Sequence, residues 1–141
     1  MEPVTILFKR NHPNARIPTR SHTCDAGYDI YSVEAKTIKR NTTVAIDTGL
    51  SLQIPPDYYC EIHTRSSFGK IGARTHLGII DTGYRGNIIV FITTPDIDME
   101  IFKGDRVAQL ILRKREEIIF QETDNLGDSP RGANGFGSTG K

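Results

Sequence analysis

The stretch that says most about the fold of this chain is Thr42-Thr43-Val44-Ala45-Ile46-Asp47-Thr48-Gly49-Leu50-Ser51-Leu52-Gln53-Ile54. Its large apolar residues share one parity, with Thr and Ser between them; they are Val44, Ile46, Leu50, Leu52 and Ile54. An alternation of period two places such side chains on one face of a β-strand. The stretch therefore predicts extended structure with one buried face.

The same pattern recurs on both sides of this stretch. Short apolar or alternating runs occupy residues 4–8, 28–33, 58–64 and 87–94, and many of their residues are β-branched or aromatic. Turn signals separate the runs, at Pro55-Pro56-Asp57, Gly83 to Gly86, Thr94-Pro95-Asp96 and Lys103-Gly104-Asp105. Many short strands divided in this way predict an all-β sandwich or barrel.

Residues 106–119 are compatible with two patterns. Val107, Leu110 and Ile111 would share the face of a helix, whereas Ala108, Leu110 and Leu112 would share the face of a strand. The strand is favoured, because Gly104-Asp105 resembles the entry to a hairpin and no N-capping box precedes the segment. We therefore expect residues 106–119 to form a strand.

Length and composition exclude several classes of protein. The 141 residues carry 18 basic and 17 acidic side chains, a net charge of +1, which predicts one domain over residues 1–141 and no direct binding of nucleic acid. No apolar run is long enough for a signal peptide or a membrane span, so we expect a soluble intracellular protein without a membrane partner, its compartment left open. Cys24 and Cys60 lack the spacing of a metal or redox motif and are expected to be free thiols.

The C-terminal segment, residues 127–141, differs from the rest. It contains five of the thirteen glycines, and its only apolar residues are Ala133 and Phe136. It fits the first positions of a Walker A loop, but the chain ends where the helix of that motif should begin. A flexible terminus and a mobile lid over an anionic, ring-containing ligand both remain open. Phe136 favours the lid, because it has no core to join.

Five segments carry a resemblance that covers residues 26–140. They are Ala26-Gly27-Tyr28-Asp29-Ile30-Tyr31-Ser32; Thr64-Arg65-Ser66-Ser67-Phe68-Gly69; Gly78-Ile79-Ile80-Asp81-Thr82-Gly83-Tyr84-Arg85-Gly86-Asn87; Gly104-Asp105-Arg106-Val107-Ala108-Gln109-Leu110; and residues 131–140. Their order and spacing resemble the homotrimeric dUTP nucleotidohydrolases (dUTPases). The resemblance implies a jelly-roll-like β-barrel with a flexible C-terminal arm. It also implies three subunits that share active sites, with the arm of one closing the site of another.

The resemblance assigns a role to each matched residue. Asp81, expected at the mouth of a hairpin, would activate the water that attacks the α-phosphorus of dUTP, and Gln109 would lie near that water. The ring of Tyr84 would pack under the deoxyribose, and main-chain groups at Gly78 and Ile89 would read uracil. The phosphates would contact Arg65, Ser66 and Ser67. Asp29 would touch the hydration shell of Mg²⁺, which explains why no cluster of metal ligands is visible in the sequence. In the arm, the expected binding residues are Arg131, Phe136, Gly137, Ser138 and Thr139.

The implied reaction is hydrolysis of dUTP to dUMP and pyrophosphate, which would limit uracil incorporation into DNA and supply dUMP. A dCTP deaminase is a second reading, although the third segment offers no convincing glutamate base. A catalytically idle dUTPase-like interaction module is a third. The connector at residues 70–77 is about one residue shorter than is usual in the family, so the roles of Thr75 and His76 are left open.

Overall fold

The structure is a computed structural model, and it describes residues 2–137. The described chain forms strands and one short helix in this order: β1 (Leu7–Arg10), β2 (Tyr28–Tyr31), β3 (Lys36–Ile38), β4 (Thr42–Asp47), β5 (Leu50–Gln53), β6 (Tyr58–His63), α1 (Ser66–Lys70), β7 (Arg74–Thr75), β8 (Gly78–Ile80), β9 (Ile89–Thr94), β10 (Met99–Ile101) and β11 (Arg106–Lys114). The all-β prediction is confirmed.

The strands pair antiparallel in four small sheets. The largest has the order β2-β11-β6-β8, and the second has the order β4-β9-β7. Two further pairs, β1 with β5 and β10 with β3, complete the described ladders. Their inward faces enclose one hydrophobic core, whose fully buried members include Ile30, Ile46, Leu50, Ile92 and Val107.

The stretch at residues 42–54 keeps its predicted alternation of buried residues, but it forms two strands that belong to different sheets. Gly49 adopts a positive φ of 67°, a conformation that glycine reaches without steric cost, and it separates β4 from β5. A Cβ atom on Gly49 would also lie 2.9 Å from a methyl group of Val33. The first half of the stretch pairs with β9 and the second half with β1, while Ile46, Leu50 and Leu52 all face the core.

Several strand ends differ from the sequence predictions. β1 lies at Leu7–Arg10 rather than at residues 4–8, and β9 begins at Ile89 rather than at residue 87. The strand predicted for residues 106–119 is confirmed as a strand but ends at Lys114. Lys114 pairs with Tyr58, the first residue of β6, so β11 ends where its antiparallel neighbour begins. The chain then leaves the sheet.

Two smaller expectations also have outcomes. Cys24 and Cys60 are both free thiols, the first exposed and the second buried. Burial raises the pKa of the Cys60 thiol to about 11, so that thiol stays protonated at neutral pH. Among residues 2–137, no helix is long and apolar enough to cross a membrane.

Candidate active site

The main cavity near the predicted catalytic aspartate is a slit between β8 and β9. The sequence prediction of a hairpin at this point is wrong, because β8 and β9 belong to different sheets. The main-chain N–H of His76 still donates to the carbonyl of Phe91, at 2.8 Å. Two residues later the chain turns away, and Gly78 pairs with Ile62 of β6 instead. The divergence leaves a cavity of about 530 Å³ between the strands.

The slit presents main-chain hydrogen-bonding groups from an open strand edge. The N–H of Ile88 donates to the carbonyl of Leu50 at 2.8 Å, and the carbonyl of Ile88 accepts from the N–H of Thr48 at 3.1 Å, so both groups face the β4–β5 side. The carbonyl of Phe91 instead faces β7. Because backbone groups alternate along a strand, the N–H and C=O of Ile89 face the same side as Phe91. At that position β7 has ended, so these groups point into the slit. β8 is likewise the edge strand of its sheet.

The walls of the slit are mostly apolar, and its mouth carries a carboxylate. Among the described lining residues, Asp81 is the single acidic one; the apolar set is Ile62, Leu77, Ile79, Ile80, Ile88, Ile89, Val90 and Phe91. Aromatic and aliphatic walls with a few placed polar groups are typical of a site for a small, flat ligand. The slit can therefore hold a heteroaromatic ring whose edge meets the main chain.

A tight turn fixes Asp81 at the end of β8. The N–H of Tyr84 donates to the carbonyl of Asp81 at 3.1 Å, and the hydroxyl of Thr82 donates to the carbonyl of Tyr58. Arg85 closes the turn through a bond of 2.8 Å from Nη1 to the carbonyl of Thr82. The Asp81 side chain stays exposed to solvent. A carboxylate held on a fixed backbone and open to water is suited to general-base chemistry.

The ring of Tyr84 lies flat against the loop beside Asp81. Its hydroxyl donates to the carbonyl of Asn87 at 2.7 Å. A Cβ atom on Gly86 would lie 2.5 Å from the Tyr84 hydroxyl oxygen and 2.7 Å from the ring carbon that bears it. Only glycine at residue 86 therefore allows this ring position. The role expected of Tyr84, packing of its ring under a deoxyribose, stays a prediction; its side chain lines the slit together with Asp81.

Three predicted site residues, Asp29, Arg65 and Gln109, lie together with Arg106 in what we call the basic cluster. The carboxylate of Asp29 forms ion pairs with Arg65 and Arg106, at 3.4 Å and 3.6 Å from their Nε atoms. The side chain of Asp29 is 17% exposed, and that of Arg106 is 47% exposed. Two guanidinium groups around one carboxylate leave a positive charge for a polyanion. The pKa of Arg106 is raised, first by the Tyr31 hydroxyl and then by Asp29.

Gln109 is held in this cluster by the backbone around it. It pairs with His63 on one side and with Asp29 on the other, and its Nε2 donates to the carbonyl of Thr64 at 3.3 Å. The amide group lies against Gly27, where a Cβ atom would be 2.5 Å from Oε1. The predicted site residues Asp29, Arg65 and Gln109 are therefore brought together.

Ser66 and Ser67 follow Arg65 in the first turn of α1, a helix that the sequence analysis did not predict. Arg106 is a further member of the cluster to which the sequence analysis gave no role. The sequence signal that could have identified Arg106 was its place at the start of a strand, two positions before the alternating buried residues Ala108 and Leu110.

Thr75, whose role was left open, is buried, and its hydroxyl donates to the carbonyl of Val107 at 2.7 Å, so its role is structural.

The slit and the basic cluster lie far apart within one chain. Ile80 pairs with Cys60, so Asp81 lies beside Tyr59 at the start of β6. Arg65 follows the far end of the same strand. Arg65 lies six positions after Tyr59 along the extended chain, which corresponds to about 20 Å. The structure therefore does not bring Asp81 together with Gln109 and Arg65 in a single chain.

The predicted binding residues of the arm touch neither group. Arg131 bonds locally, from Nε to the carbonyl of Asn134 at 2.6 Å, and the side chain of Phe136 is fully exposed. Gly137 has a positive φ of 76° and no side-chain neighbour. Ser138 and Thr139 lie outside the described residues.

Within residues 2–137 there is no group of three or more His, Cys, Asp or Glu side chains that could enclose a metal ion. Asp29 is a single carboxylate already paired with two arginines. These residues could touch a hydrated cation but not replace its water ligands, and Mg²⁺ in proteins commonly keeps several waters and binds substrate phosphates. The donor set thus fits a hydrated Mg²⁺ brought by a polyphosphate.

The fold and the slit together define an all-β protein built to hold a planar ring against open strand edges. Comparisons with known proteins give the particular family. Residues 13–140 match the family model for dUTPase. The deoxyuridine 5'-triphosphate nucleotidohydrolase of Yarrowia lipolytica is 44% identical over 133 residues, covering 90% of this chain and 83% of that protein. The enzyme of the same name from Thermobifida fusca is 36% identical, covering 97% and 79%. The chain belongs to the dUTPase family.

Solved structures agree with this assignment. The dUTPase of Staphylococcus bacteriophage 80alpha, solved with dUpNHpp, has a TM-score of 0.90 at 28% identity and covers 97% of this chain and 99% of that one. A mutant dUTPase from phage phi11 of S. aureus, described with a structural Mg(II) ion, has a TM-score of 0.80 at 25% identity, covering 86% and 97%. The predicted jelly-roll-like fold is confirmed, with the described ladders divided among four sheets.

Proposed function

We propose that the protein hydrolyses dUTP to dUMP and pyrophosphate, with Asp81 as the base that activates the attacking water. The observation that supports this most is the slit, in which open main-chain edges face a flat cavity with one carboxylate at its mouth. Asp81 accepts a proton as the water oxygen forms a bond to the α-phosphorus. The bond from that phosphorus to the bridging oxygen breaks, and pyrophosphate leaves. The reaction removes dUTP before it enters DNA and supplies dUMP.

Uracil binds in the slit through main-chain groups. The N–H and C=O of Ile89, and the open edge at Gly78, offer a donor and acceptors at fixed spacing, as a pairing base would. Cytosine reverses the donor and acceptor at its 4-position, and a buried mismatch of this kind is strongly disfavoured. The ring of Tyr84 packs under the deoxyribose, where a 2′-hydroxyl would meet it. Asp81, at the same end of the slit, contacts the 3′-hydroxyl.

The basic cluster binds the triphosphate of a dUTP molecule whose uracil lies in the slit of another copy. Arg65 supplies a guanidinium, Ser66 and Ser67 supply hydroxyls, and Gln109 supplies an amide beside the attacked phosphorus. The separation of about 20 Å between Asp81 and Arg65 supports this division, because one nucleotide cannot meet both in a single chain. We propose a homotrimer in which neighbouring subunits share each active site.

In this scheme Asp29 would contact the hydration shell of a Mg²⁺ ion bound to the triphosphate. When bound, the cation would neutralise charge on the phosphate oxygens. Arg65 and Arg106 hold the carboxylate of Asp29 in place for that contact. The position of Asp29 at the edge of the cluster, 17% exposed, suits an outer-shell role.

The C-terminal segment at residues 127–141 is the mobile lid of this single domain. The side-chain hydrogen bonds of its described residues run only within the segment, which supports its closing over a nucleotide. In the closed state Arg131 contacts the γ-phosphate and Phe136 stacks on uracil, while Gly137, Ser138 and Thr139 wrap the phosphate chain. The segment before the lid exposes Ile118, Ile119 and Phe120 at 67%, 93% and 92%, apolar area that a neighbouring subunit would cover.

The test is to incubate the purified protein with Mg²⁺ and, separately, each dNTP and UTP, and to quantify pyrophosphate. We expect release from dUTP alone, and no turnover of any of these nucleotides would overturn the proposal. Asp81→Asn should lower kcat by roughly 10²–10⁴ with little effect on dUTP binding. Asp96→Asn, in an exposed turn that belongs to neither group, is the matched control and should retain full activity.

A further inference from the structure

A row of three polar side chains crosses the sheet β4-β9-β7 on its outer face. The hydroxyls of Thr43 and Thr93, which lie directly opposite each other on β4 and β9, are 2.7 Å apart. The ring of His76, just after β7, is bonded through Nε2 to the same Thr93 hydroxyl at 2.7 Å. Thr93 therefore links the two neighbours, and its hydroxyl has one partner on each side. Cross-strand pairs of this kind fix the position of strands relative to each other.

The row lies at the point where the chain that follows β7 leaves β9. The main-chain bond from His76 to Phe91 is the last hydrogen bond before the divergence, and both residues line the slit. The other end of the slit is formed by the turn that carries Asp81 and Tyr84. The His76–Phe91 bond thus sets how far the slit extends from its mouth. The hydrogen bond between the side chains of His76 and Thr93, on the outer face of the sheet, holds that main-chain bond in position.

We infer that the Thr43–Thr93–His76 row is a positioning device that limits the length of the slit and so discriminates against nucleobases larger than uracil. This inference rests on the proposed function. Gly78 lies two residues from His76, about 7 Å along an extended chain. A base read at Gly78 and Ile89 therefore has its far edge near the His76–Phe91 bond. If that bond opens, the segment at His76 separates from β9, and the slit becomes longer. The longer slit admits a base with an extra methyl group.

The row could instead contribute only to the stability of the sheet, and the two possibilities give different kinetics. A purely structural role would change the melting temperature without altering the preference for dUTP over dTTP. A positioning role changes that preference, raises KM for dUTP and leaves kcat unchanged, because neither Thr93 nor His76 touches the reacting phosphorus.

The experiment measures kcat and KM for dUTP and for dTTP in the full-length protein with Mg²⁺. In Thr93→Val, we expect KM for dUTP to rise and the dUTP/dTTP ratio of kcat/KM to fall, each by about three- to tenfold, the value of one or two hydrogen bonds. His76→Ala should show the same pattern. Thr93→Ser retains the hydroxyl and should behave as the unmodified protein does.

Thr37→Val is the matched control, because Thr37 is also a strand threonine with a side-chain bond, to Glu100 at 2.9 Å, and lies outside the slit. It should leave both kinetic constants unchanged. An unaltered dUTP/dTTP ratio in Thr93→Val and in His76→Ala would overturn the inference, as would a loss of kcat at constant KM. Failure of the unmodified protein to hydrolyse dUTP would instead overturn the proposed function.

Discussion

Gly27 and Gln109 are in direct contact, so that a Cβ atom on Gly27 would lie 2.5 Å from Oε1 of Gln109 and 3.2 Å from its Cβ. A Cβ atom on Gly27 would thus crowd both the flexible amide group of Gln109 and the Cβ atom of Gln109, which the backbone holds in place. A methyl group at residue 27 must displace the amide from the carbonyl of Thr64, which it now contacts at 3.3 Å. The position of Gln109, which we propose lies beside the reacting phosphorus, therefore depends on the absence of a side chain at residue 27.

Gly27→Ala should therefore lower kcat without unfolding the protein. A displacement of about 1 Å in a positioned group can cost on the order of 10²-fold, so we expect a loss of roughly 10- to 100-fold. Steady-state kinetics with dUTP and a thermal melt would measure the two effects. Gly127→Ala is the control, because a Cβ atom there meets nothing within 4 Å. Full activity in Gly27→Ala would show that Gln109 needs no such placement.

The separation of Asp81 from Arg65 predicts complementation between inactive variants. Asp81→Asn and Arg65→Ala should each be almost inactive alone. If the two are co-expressed and assemble at random, about a quarter of the shared sites receive an intact Asp81 from one chain and an intact Arg65 from another. Pyrophosphate release from dUTP by the co-purified mixture would measure this recovery. A mixture as inactive as its components would mean that each site is built from one chain.

Removal of the C-terminal segment after Ser129 should abolish turnover and leave the fold intact. The described residues that are removed make only local bonds, and Phe136 buries no area against the rest of the chain. We expect the melting temperature to change by no more than about 2 °C, as for loss of an unpacked terminus. Circular dichroism and the dUTP assay would measure the two properties. A truncated protein that fails to fold would contradict a lid role for this segment.

Glu61 predicts a specific dependence of stability on pH. The hydrogen bond from His63, at 2.8 Å, and then that from Arg113, at 3.1 Å, hold the pKa of Glu61 below its usual value of 4.5. A lowered pKa in the folded state stabilises the protein above pH 4.5, and this contribution is lost as the pH falls through the folded-state pKa. Glu61→Gln should therefore lower the melting temperature at pH 7 and have a smaller effect at pH 3. Glu122→Gln, at an exposed position, serves as the comparison. An equal effect at both pH values would contradict the assignment.

The sequence predicted the strands well, because burial of one face imposes alternation on each of them. It did not predict that the alternating residues 42–54 divide at Gly49, since the parity continues across the division. The predicted hairpin around Asp81 failed for a similar reason. Whether β8 pairs with β9 or with β6 depends on long-range partners, and neither choice changes which of its residues are apolar.

The candidate site was predictable only where side chains carry the chemistry. Asp81, Tyr84 and Arg65 were singled out by their segments, and the structure places Asp29 and Gln109 beside Arg65. The open edge at Ile89 could not be derived from residue types, because any residue supplies the same N–H and C=O groups. The row at Thr43, Thr93 and His76 joins three distant segments and likewise left no pattern in the sequence.

The placement of Asp81 and Arg65 at opposite ends of β6 has a consequence for how activity is switched on. Under the proposed sharing of active sites, a single chain is inert, because one nucleotide cannot reach both Asp81 and Arg65 within it. Under that proposal, activity arises on assembly and disappears on dissociation. Specific activity should therefore fall on dilution, and the abundance of the chain, as well as its turnover number, governs how much dUTP a cell clears.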